Sequence, residues 1–169
     1  MDLTGDPNGP PVKSGIFLSD FVSGKDAFGA IMAALLHKER TGEGQYIDIA
    51  MLQCMITMNP FVENAFLGSY ITRTGNHSAS FAPYGVFRGP HNQYLTIGAF
   101  TPSHWKKFCE GALKRPELVN DPRFADYAGR LANCKEIIKI VEDWLATFES
   151  VDEPKAILTS LSLVAGKVY

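Results

Sequence analysis

A continuous apolar segment, Ala27 to Leu36, constrains this chain of 169 residues more than any other feature. A helix built from it would have no polar face, so it would have to be buried on all sides. Lys38 and Arg40 suit the negative end of a helix dipole, and Gly42 is a typical residue to end a helix. The sequence therefore predicts a buried core helix over residues 22 to 40.

Asp20 lies close to the expected start of this helix, with Phe17 before it and Phe21 after it. Unpaired N–H groups and the helix dipole favour an anion at such a place. One interpretation makes Ser19 or Asp20 a helix cap, a role that these residue types often fill, and local chemistry alone favours it. The other makes Asp20 a carboxylate nucleophile, kept ionised by the helix start and partly shielded from water by Phe17 and Phe21.

The segments next to this helix do not provide an obvious cover for it. Residues 4 to 15 are rich in proline and glycine, which predicts a loop. We therefore expect the natural chain to begin upstream of Met1, and the apolar faces of the helix to stay uncovered in this chain alone. After the helix, the alternation from Tyr46 to Ala50 predicts a short strand, and Met51 to Met58 predicts a second helix.

The second half of the chain has a different pattern. Residues 61 to 80 are loosely patterned and predict a linker. Two β-rich segments within 84 to 99 flank the turn residues 89 to 92, which predicts an antiparallel hairpin with a four-residue loop. Helices are predicted within 103 to 114 and 134 to 148. Their expected inward-facing residues are Trp105, Phe108, Cys109, Ala112 and Leu113 in the first, and Ile137, Val141, Trp144, Leu145 and Phe148 in the second.

A capping box is expected at the start of the last of these helices. Asn133 stands at the position of the N-cap, and Glu136 follows three residues later. In this arrangement each side chain accepts a hydrogen bond from the other residue's backbone N–H.

The composition excludes several classes of function. Sixteen basic and 18 acidic residues give no electrostatic reason to expect binding to nucleic acid or to an anionic membrane. The apolar run is far shorter than a membrane span, and the N-terminus does not resemble a signal peptide. The cysteines and histidines lack the spacing of a disulfide framework or a metal site. We therefore expect a protein of the reducing cytoplasm without a metal ion.

Residues 75 to 85, here called the flap segment, combine small residues with an aromatic end. Such a segment can act as a mobile flap over an active site, or it can simply connect two packed bodies. The pattern alone does not choose between these roles. If the segment is a flap, the candidate residues for contact with a substrate are Gly75, Asn76, His77, Tyr84 and Gly85.

An ordered set of motifs along the chain resembles the family III CoA-transferases, the CaiB/BaiF family with its carnitine-CoA and formyl-CoA transferase types. Each motif alone is weak, and the ordered set is specific. The motifs are Leu3-Thr-Gly-Asp-Pro-x-Gly-Pro-Pro11, Ser19-Asp20-Phe21-x-x-Gly24, Ala33-Ala-Leu-Leu-x-x-Glu-Arg-Thr-Gly-x-Gly-Gln45, Gly75-Asn76-His77, Ala82-Pro83-Tyr84-Gly85-x-Phe87, Asp121-Pro122-Arg123-Phe124, Trp144-Leu145 and Ala165-Gly-Lys-Val-Tyr169.

The resemblance implies the α/β fold class and an internal fragment of a longer protein. Residues 1–60 would be the end of a Rossmann-like large domain that binds CoA. Residues 61–80 would be a linker, and residues 81–169 an α+β small domain truncated at its C-terminal end.

The resemblance also implies a function, because Asp20 matches the position of the family's catalytic aspartate. Coenzyme A would pass from an acyl-CoA to a carboxylic acid through aspartyl anhydride and aspartyl-CoA thioester intermediates. The flap segment occupies the place of the family's glycine-rich flap, although only Gly75 and Gly85 remain as glycines. Acyl-CoA would be a substrate, with no permanently bound cofactor, and the complete protein would form an interlocked homodimer.

Two alternatives stay open at the level of sequence. The related alpha-methylacyl-CoA racemases share the fold and the aspartate, but they need paired acid and base groups. They carry a glutamate where this chain has Thr101, which cannot act as that base. The other alternative is that the isolated chain is an inactive fragment or an interaction module.

Overall fold

The computed structural model describes residues 3–58, 68 and 72–169. The chain divides into two compact units, Met1–Arg73 and Thr74–Tyr169. We call them unit 1 and unit 2 and describe each by itself. Half of the predicted linker over residues 61 to 80 lies outside the described residues, so the linker stays a prediction.

Unit 1 contains the predicted apolar helix, α1, which spans Leu18–Thr41. Gly42 ends it in the left-handed conformation (φ 78°), and its N–H donates to the carbonyl of Lys38 at 2.8 Å. The expectation of burial is wrong for this chain, because α1 has no buried residue and Phe28 is 69% exposed. Among the described elements of unit 1, only α2 (Met51–Thr57) packs against α1, so the apolar faces stay uncovered, as expected for the chain alone.

The strand predicted over residues 46 to 50 is absent from the structure. A strand is stabilised by backbone hydrogen bonds to a neighbouring strand, and the described residues of unit 1 provide no such neighbour. Tyr46 is accordingly 91% exposed. Cys54 in α2 is the one buried side chain among the described residues of this unit, which therefore has almost no core of its own.

Unit 2 is built on an antiparallel sheet of three strands, β1 (Tyr84–Arg88), β2 (Tyr94–Gly98) and β3 (Val164–Val168), in that order. The first two strands confirm the predicted hairpin. Its loop is one residue longer than predicted, because Gln93 closes it through hydrogen bonds with Gly89 and Pro90. The sequence analysis did not predict β3.

Four α-helices follow the hairpin: α3 (Pro102–Lys107), α4 (Tyr127–Ala132), α5 (Cys134–Leu145) and α6 (Asp152–Ser160). They confirm the helices predicted within 103 to 114 and 134 to 148, while α4 and α6 were not predicted. After α3 the chain continues as a π-helical turn, Phe108–Ala112. The predicted inward-facing residues that are buried are Trp105, Phe108, Cys109, Ala112, Leu113, Ile137, Val141 and Leu145; Trp144 and Phe148 are only half-buried.

The predicted capping box at Asn133 and Glu136 is wrong, because neither side chain caps α5. The amide of Asn133 instead donates to the carbonyls of Arg123 and Gly129, at 3.1 and 2.9 Å. The carboxylate of Glu136 pairs with Arg123. The contacts of both side chains with Arg123 tie the start of α5 to the loop before α4.

Candidate active site

Asp20 lies in the first turn of α1 and is exposed in this chain. Its Oδ2 accepts a hydrogen bond from the hydroxyl of Ser19 at 3.3 Å. The hydroxyl of Ser23 donates to the carbonyl of Ser19 at 2.8 Å, one turn back along the helix. A carboxylate at this position is stabilised by the positive end of the helix dipole.

The interpretation of Ser19 or Asp20 as the helix cap is wrong. Phe17 occupies the N-cap position, and no side chain there accepts a hydrogen bond from the helix. Asp20 lies inside the helix, so its side chain is not needed to start it. The carboxylate of Asp20 is therefore available for other chemistry.

The expected shielding of Asp20 by its aromatic neighbours is also absent from this chain. Phe17 is 72% exposed and Phe21 is 67% exposed. Both rings belong to the uncovered apolar surface of α1, whose covering elements are not among the described residues of unit 1. The described residues of unit 1 therefore do not exclude water from Asp20.

The flap segment lies in unit 2, and its two ends are joined by hydrogen bonds. The N–H of Val86 donates to the carbonyl of Asn76 at 2.9 Å, and the N–H of Ser78 donates to the carbonyl of Tyr84 at 2.9 Å. His77 thereby forms an isolated bridge with Gly85. The structure brings together all five candidate flap residues, because Gly75, with φ of 66°, forms the turn that precedes this pairing. Asp20 belongs to the other unit.

Gly85 is required for this close pairing. A Cβ atom at residue 85 would lie 2.4 Å from the carbonyl oxygen of Asn76 and 2.6 Å from Nδ1 of His77. Neither distance is possible for a real side chain. Gly85 is therefore a packing glycine at the fixed base of the flap segment, and residues 79 to 83 form the loop that projects from this base.

His77 is held against the core of unit 2. Its ring contacts Phe87 edge-on, with 4.9 Å between the ring centroids. Burial lowers the pKa of His77, although the negative charge of Glu142 partly opposes this effect. The neutral imidazole forms one wall of a shallow depression together with Ser78, Phe81, Ala82, Pro83, Tyr84, Phe87, Cys134, Ile137 and Ile138.

Three aromatic rings, which we call the aromatic trio, form a cluster at the end of the flap segment. Phe81 and Tyr84 each pack on Phe100, with centroid distances of 4.8 and 5.4 Å. Phe81 is 42% exposed and Tyr84 is 45% exposed. The trio therefore presents an apolar surface to the outside of unit 2, between the flap segment and the end of β2.

Arg130 is a buried residue that the sequence analysis missed. It is 1% exposed, and its guanidinium donates to the carbonyls of Ala82, Phe100 and Phe124 at 3.2, 3.1 and 2.9 Å. Burial lowers its pKa. No local sequence signal indicates this role, because an arginine in a short helix is usually exposed.

Thr101, which stands at the position of the racemase glutamate, has a structural role. Its hydroxyl accepts a hydrogen bond from the N–H of His104 at 3.2 Å and so caps α3. The same hydroxyl lies 3.2 Å from the hydroxyl of Ser103. A threonine hydroxyl in this role cannot act as the base that removes a proton from a substrate carbon.

Neither a metal centre nor a membrane span is visible in the part of the chain that the structure describes. There, no three His, Cys, Asp or Glu residues cluster in a way that could hold a metal ion. Within the same residues, no helix is long and apolar enough to cross a membrane.

Comparisons with known proteins agree on one family. The sequence profile of CoA-transferase family III matches residues 1–169. The succinyl-CoA:mesaconate CoA-transferase of Haloarcula hispanica is 36% identical over 99% of this chain and 40% of its own length. The succinyl-CoA:glutarate CoA-transferase of Homo sapiens is 32% identical over 91% of this chain and 37% of its own length.

The solved structures lead to the same result. A CAIB/BAIF family protein from Brucella suis superposes on the whole of this chain with a TM-score of 0.75 and 30% identity, and 44% of that protein is covered. Rv3272 from M. tuberculosis superposes on 98% of this chain with a TM-score of 0.80 and 28% identity, covering 42% of its own length. This chain thus spans about 40% of the length of the curated relatives it matches. It belongs to CoA-transferase family III.

Proposed function

We propose that the complete protein transfers coenzyme A from an acyl-CoA thioester to a carboxylic acid, with Asp20 as the covalent nucleophile. The observation that carries this proposal is the position of Asp20 in the first turn of α1, where its carboxylate is not used as a cap. Membership of the family supports CoA transfer in general. The motif around Asp20, Ser19-Asp20-Phe21-x-x-Gly24, supports the specific role of this residue.

The proposed reaction proceeds through two anhydrides and one enzyme-bound thioester. A carboxylate oxygen of Asp20 attacks the thioester carbonyl, and CoA leaves as a thiolate. The thiolate attacks the aspartyl carbonyl, which releases the donor acid and leaves CoA bound to Asp20 as a thioester. The acceptor carboxylate then displaces CoA to form a second anhydride. Attack of the thiolate on the acceptor's acyl carbon releases the new acyl-CoA and regenerates Asp20.

The proposed role of the flap segment is to protect these intermediates from water, because each of them can be hydrolysed. Acyl-CoA and the acceptor acid are then the partners of the protein, with no permanently bound cofactor. We further propose that the complete protein is an interlocked homodimer of the cytoplasm. The names of several relatives begin with succinyl-CoA, which makes succinyl-CoA the first donor to test.

A racemase remains the second candidate enzyme, because it shares the fold and the aspartate. The hydroxyl of Thr101 caps α3 and argues against a racemase, since this position offers no base. The isolated chain can also be inactive by itself, because it spans about 40% of the length of its relatives.

The test is the substitution Asp20→Asn in the complete protein, assayed with succinyl-CoA and a panel of carboxylic acids. An amide cannot form the anhydride, so transfer should fall by about three orders of magnitude or more while the fold and CoA affinity persist. Asp26→Asn, on the same helix, is the matched control and should retain activity. Near-normal transfer in Asp20→Asn would end the covalent mechanism, and exchange of substrate α-protons without transfer would favour the racemase.

A further inference from the structure

We infer that Arg130 is a positioning residue for the flap segment. Its buried guanidinium holds Ala82 of this segment to the chain that follows β2. This inference rests on the proposed function for its catalytic consequence. The positioning itself can be measured without any assay of activity.

The first step of the argument is the choice of hydrogen-bond partners. A buried arginine is usually neutralised by a carboxylate. The three guanidinium nitrogens of Arg130 instead donate to three main-chain carbonyls, those of Ala82, Phe100 and Phe124. Among the residues that the structure describes, no carboxylate lies within ion-pair distance of this guanidinium. Its bonds therefore fix the course of the backbone at three separate places.

The second step is the location of these carbonyls. Ala82 belongs to the loop of the flap segment and precedes Pro83, whose carbonyl accepts a hydrogen bond from the N–H of Ala99 at 3.0 Å. Phe100 follows the end of β2 after one intervening residue, Ala99. Arg130 thus joins the far end of the flap loop to the chain that leaves the central strand of the sheet.

The third step is what this joint supports. Phe100 carries the central ring of the aromatic trio, and Phe81 and Tyr84 lie on either side of Ala82 and Pro83. The guanidinium also lies over the rings of Trp105 and Tyr127, at 5.7 and 5.0 Å from their centroids, which keeps it in one orientation. One buried side chain therefore sets both the end of the flap loop and the exposed aromatic surface beside it.

Lysine cannot replace arginine in this joint. The three bonds start from three different nitrogens of a planar guanidinium, and a single ammonium cannot reach three carbonyls that surround that plane. Arg130→Lys keeps the charge and should loosen at least one of the three contacts. Arg115→Lys is the matched control, because the side chain of Arg115 is exposed and, in the described structure, its guanidinium bonds only the side chain of Glu117.

The first measurement is hydrogen exchange of the backbone amides in the complete protein. In Arg130→Lys, the amides of Ser78 and Ala99 should exchange at least tenfold faster than in the wild type, while those in the middle of α5 should be unchanged. Arg115→Lys should show the wild-type pattern. Wild-type exchange at Ser78 and Ala99 in Arg130→Lys would overturn the inference.

The second measurement is the ratio of acyl-CoA hydrolysis to CoA transfer. Both products arise from the same enzyme-bound intermediates, so this ratio does not depend on how much of the variant is folded. It should rise at least fivefold in Arg130→Lys and in Arg130→Met, and stay unchanged in Arg115→Lys. An unchanged ratio would contradict a role in positioning the flap. If the wild type transfers no CoA at all, the proposed function fails instead, and the exchange experiment alone decides the role of Arg130.

Discussion

At the scale of single residues, Gly85 shows how tightly the base of the flap segment is built. Gly85→Ala would force a Cβ atom against the carbonyl of Asn76 and the ring of His77. We expect the free energy of unfolding to fall by about 1–3 kcal/mol, as in other overpacked sites. Thermal unfolding of the 169-residue chain, followed by circular dichroism, measures this change.

Gly166→Ala is the control for this prediction. Gly166 also lies in a strand of the same sheet, but a Cβ atom there would meet no atom within 4 Å. The free energy of unfolding of Gly166→Ala should differ from that of the wild type by no more than about 0.5 kcal/mol. Equal stability of the two variants would show that the segment before β1 does not pack against Gly85.

His77 makes the stability of unit 2 depend on pH in a defined direction. Because burial lowers its pKa in the folded protein, the unfolded chain binds more protons at and below the ordinary value of 6.5. The stability contribution is fully present above that value and is lost as the pH falls below it. Denaturant unfolding between about pH 7 and pH 5 should show this loss, and His77→Gln should reduce it. An identical slope in both proteins would contradict the burial of the imidazole.

The sequence predicted the position of Asp20 near a helix start and did not predict the burial of Arg130, for physical reasons. Asp20 belongs to an ordered set of motifs, and its place near a helix start follows from local pattern. The role of Arg130 depends on carbonyls that are distant along the chain and are brought together only by tertiary folding. The capping interpretation of Asp20 failed because α1 begins at Leu18, before the expected position, which places the carboxylate inside the helix.

At the scale of secondary structure, strong periodicity was predictive and weak strand patterns were not. The two amphipathic helices and the hairpin were found from their spacing of apolar residues. The strand β3, with glycine and lysine in its middle, was missed because its stability comes from pairing with β2. Residues 46 to 50 have a better strand pattern, yet they form no strand because no pairing partner is present among the described residues of unit 1.

An ion pair in the loop before α4 is predicted to lose its stabilising effect in acid. Arg123 forms a bidentate ion pair with Asp121 and lowers the pKa of that carboxyl to about 2. Since this value lies below the unfolded one of about 3.9, the pair stabilises the fold above pH 4 and loses its effect between about pH 4 and pH 2. Carbon-detected NMR titration of Asp121 measures the shift. In Arg123→Met, the pKa of Asp121 should rise towards the unfolded value. A pKa of Asp121 equal to that of the wild type would exclude the ion pair as the cause of the lowered pKa.

At the scale of the whole molecule, the two units differ greatly in how much core they contain. All described buried side chains except Cys54 belong to unit 2. We therefore expect residues 74–169, expressed alone, to unfold cooperatively and to stay monomeric. The 169-residue chain should bind an apolar dye more strongly and associate, because the apolar faces of α1 are exposed. A monomeric 169-residue chain without dye binding would contradict this prediction.

The complete protein is expected to bury these faces and to form a homodimer. Sedimentation equilibrium of the complete protein at micromolar concentration should give twice the mass of its chain. A mass equal to one chain at all concentrations would exclude the proposed dimer.

The uneven distribution of the core also has a consequence for biosynthesis. The helix α1 emerges from the ribosome before unit 2, and among the described elements of its own unit only the short helix α2 packs against it. Unit 2 carries its own core and can fold as soon as β3 has emerged to complete the sheet. Within these 169 residues, α1 therefore emerges before the unit that has its own core, and its exposed apolar faces make it the segment on which a chaperone would act during synthesis.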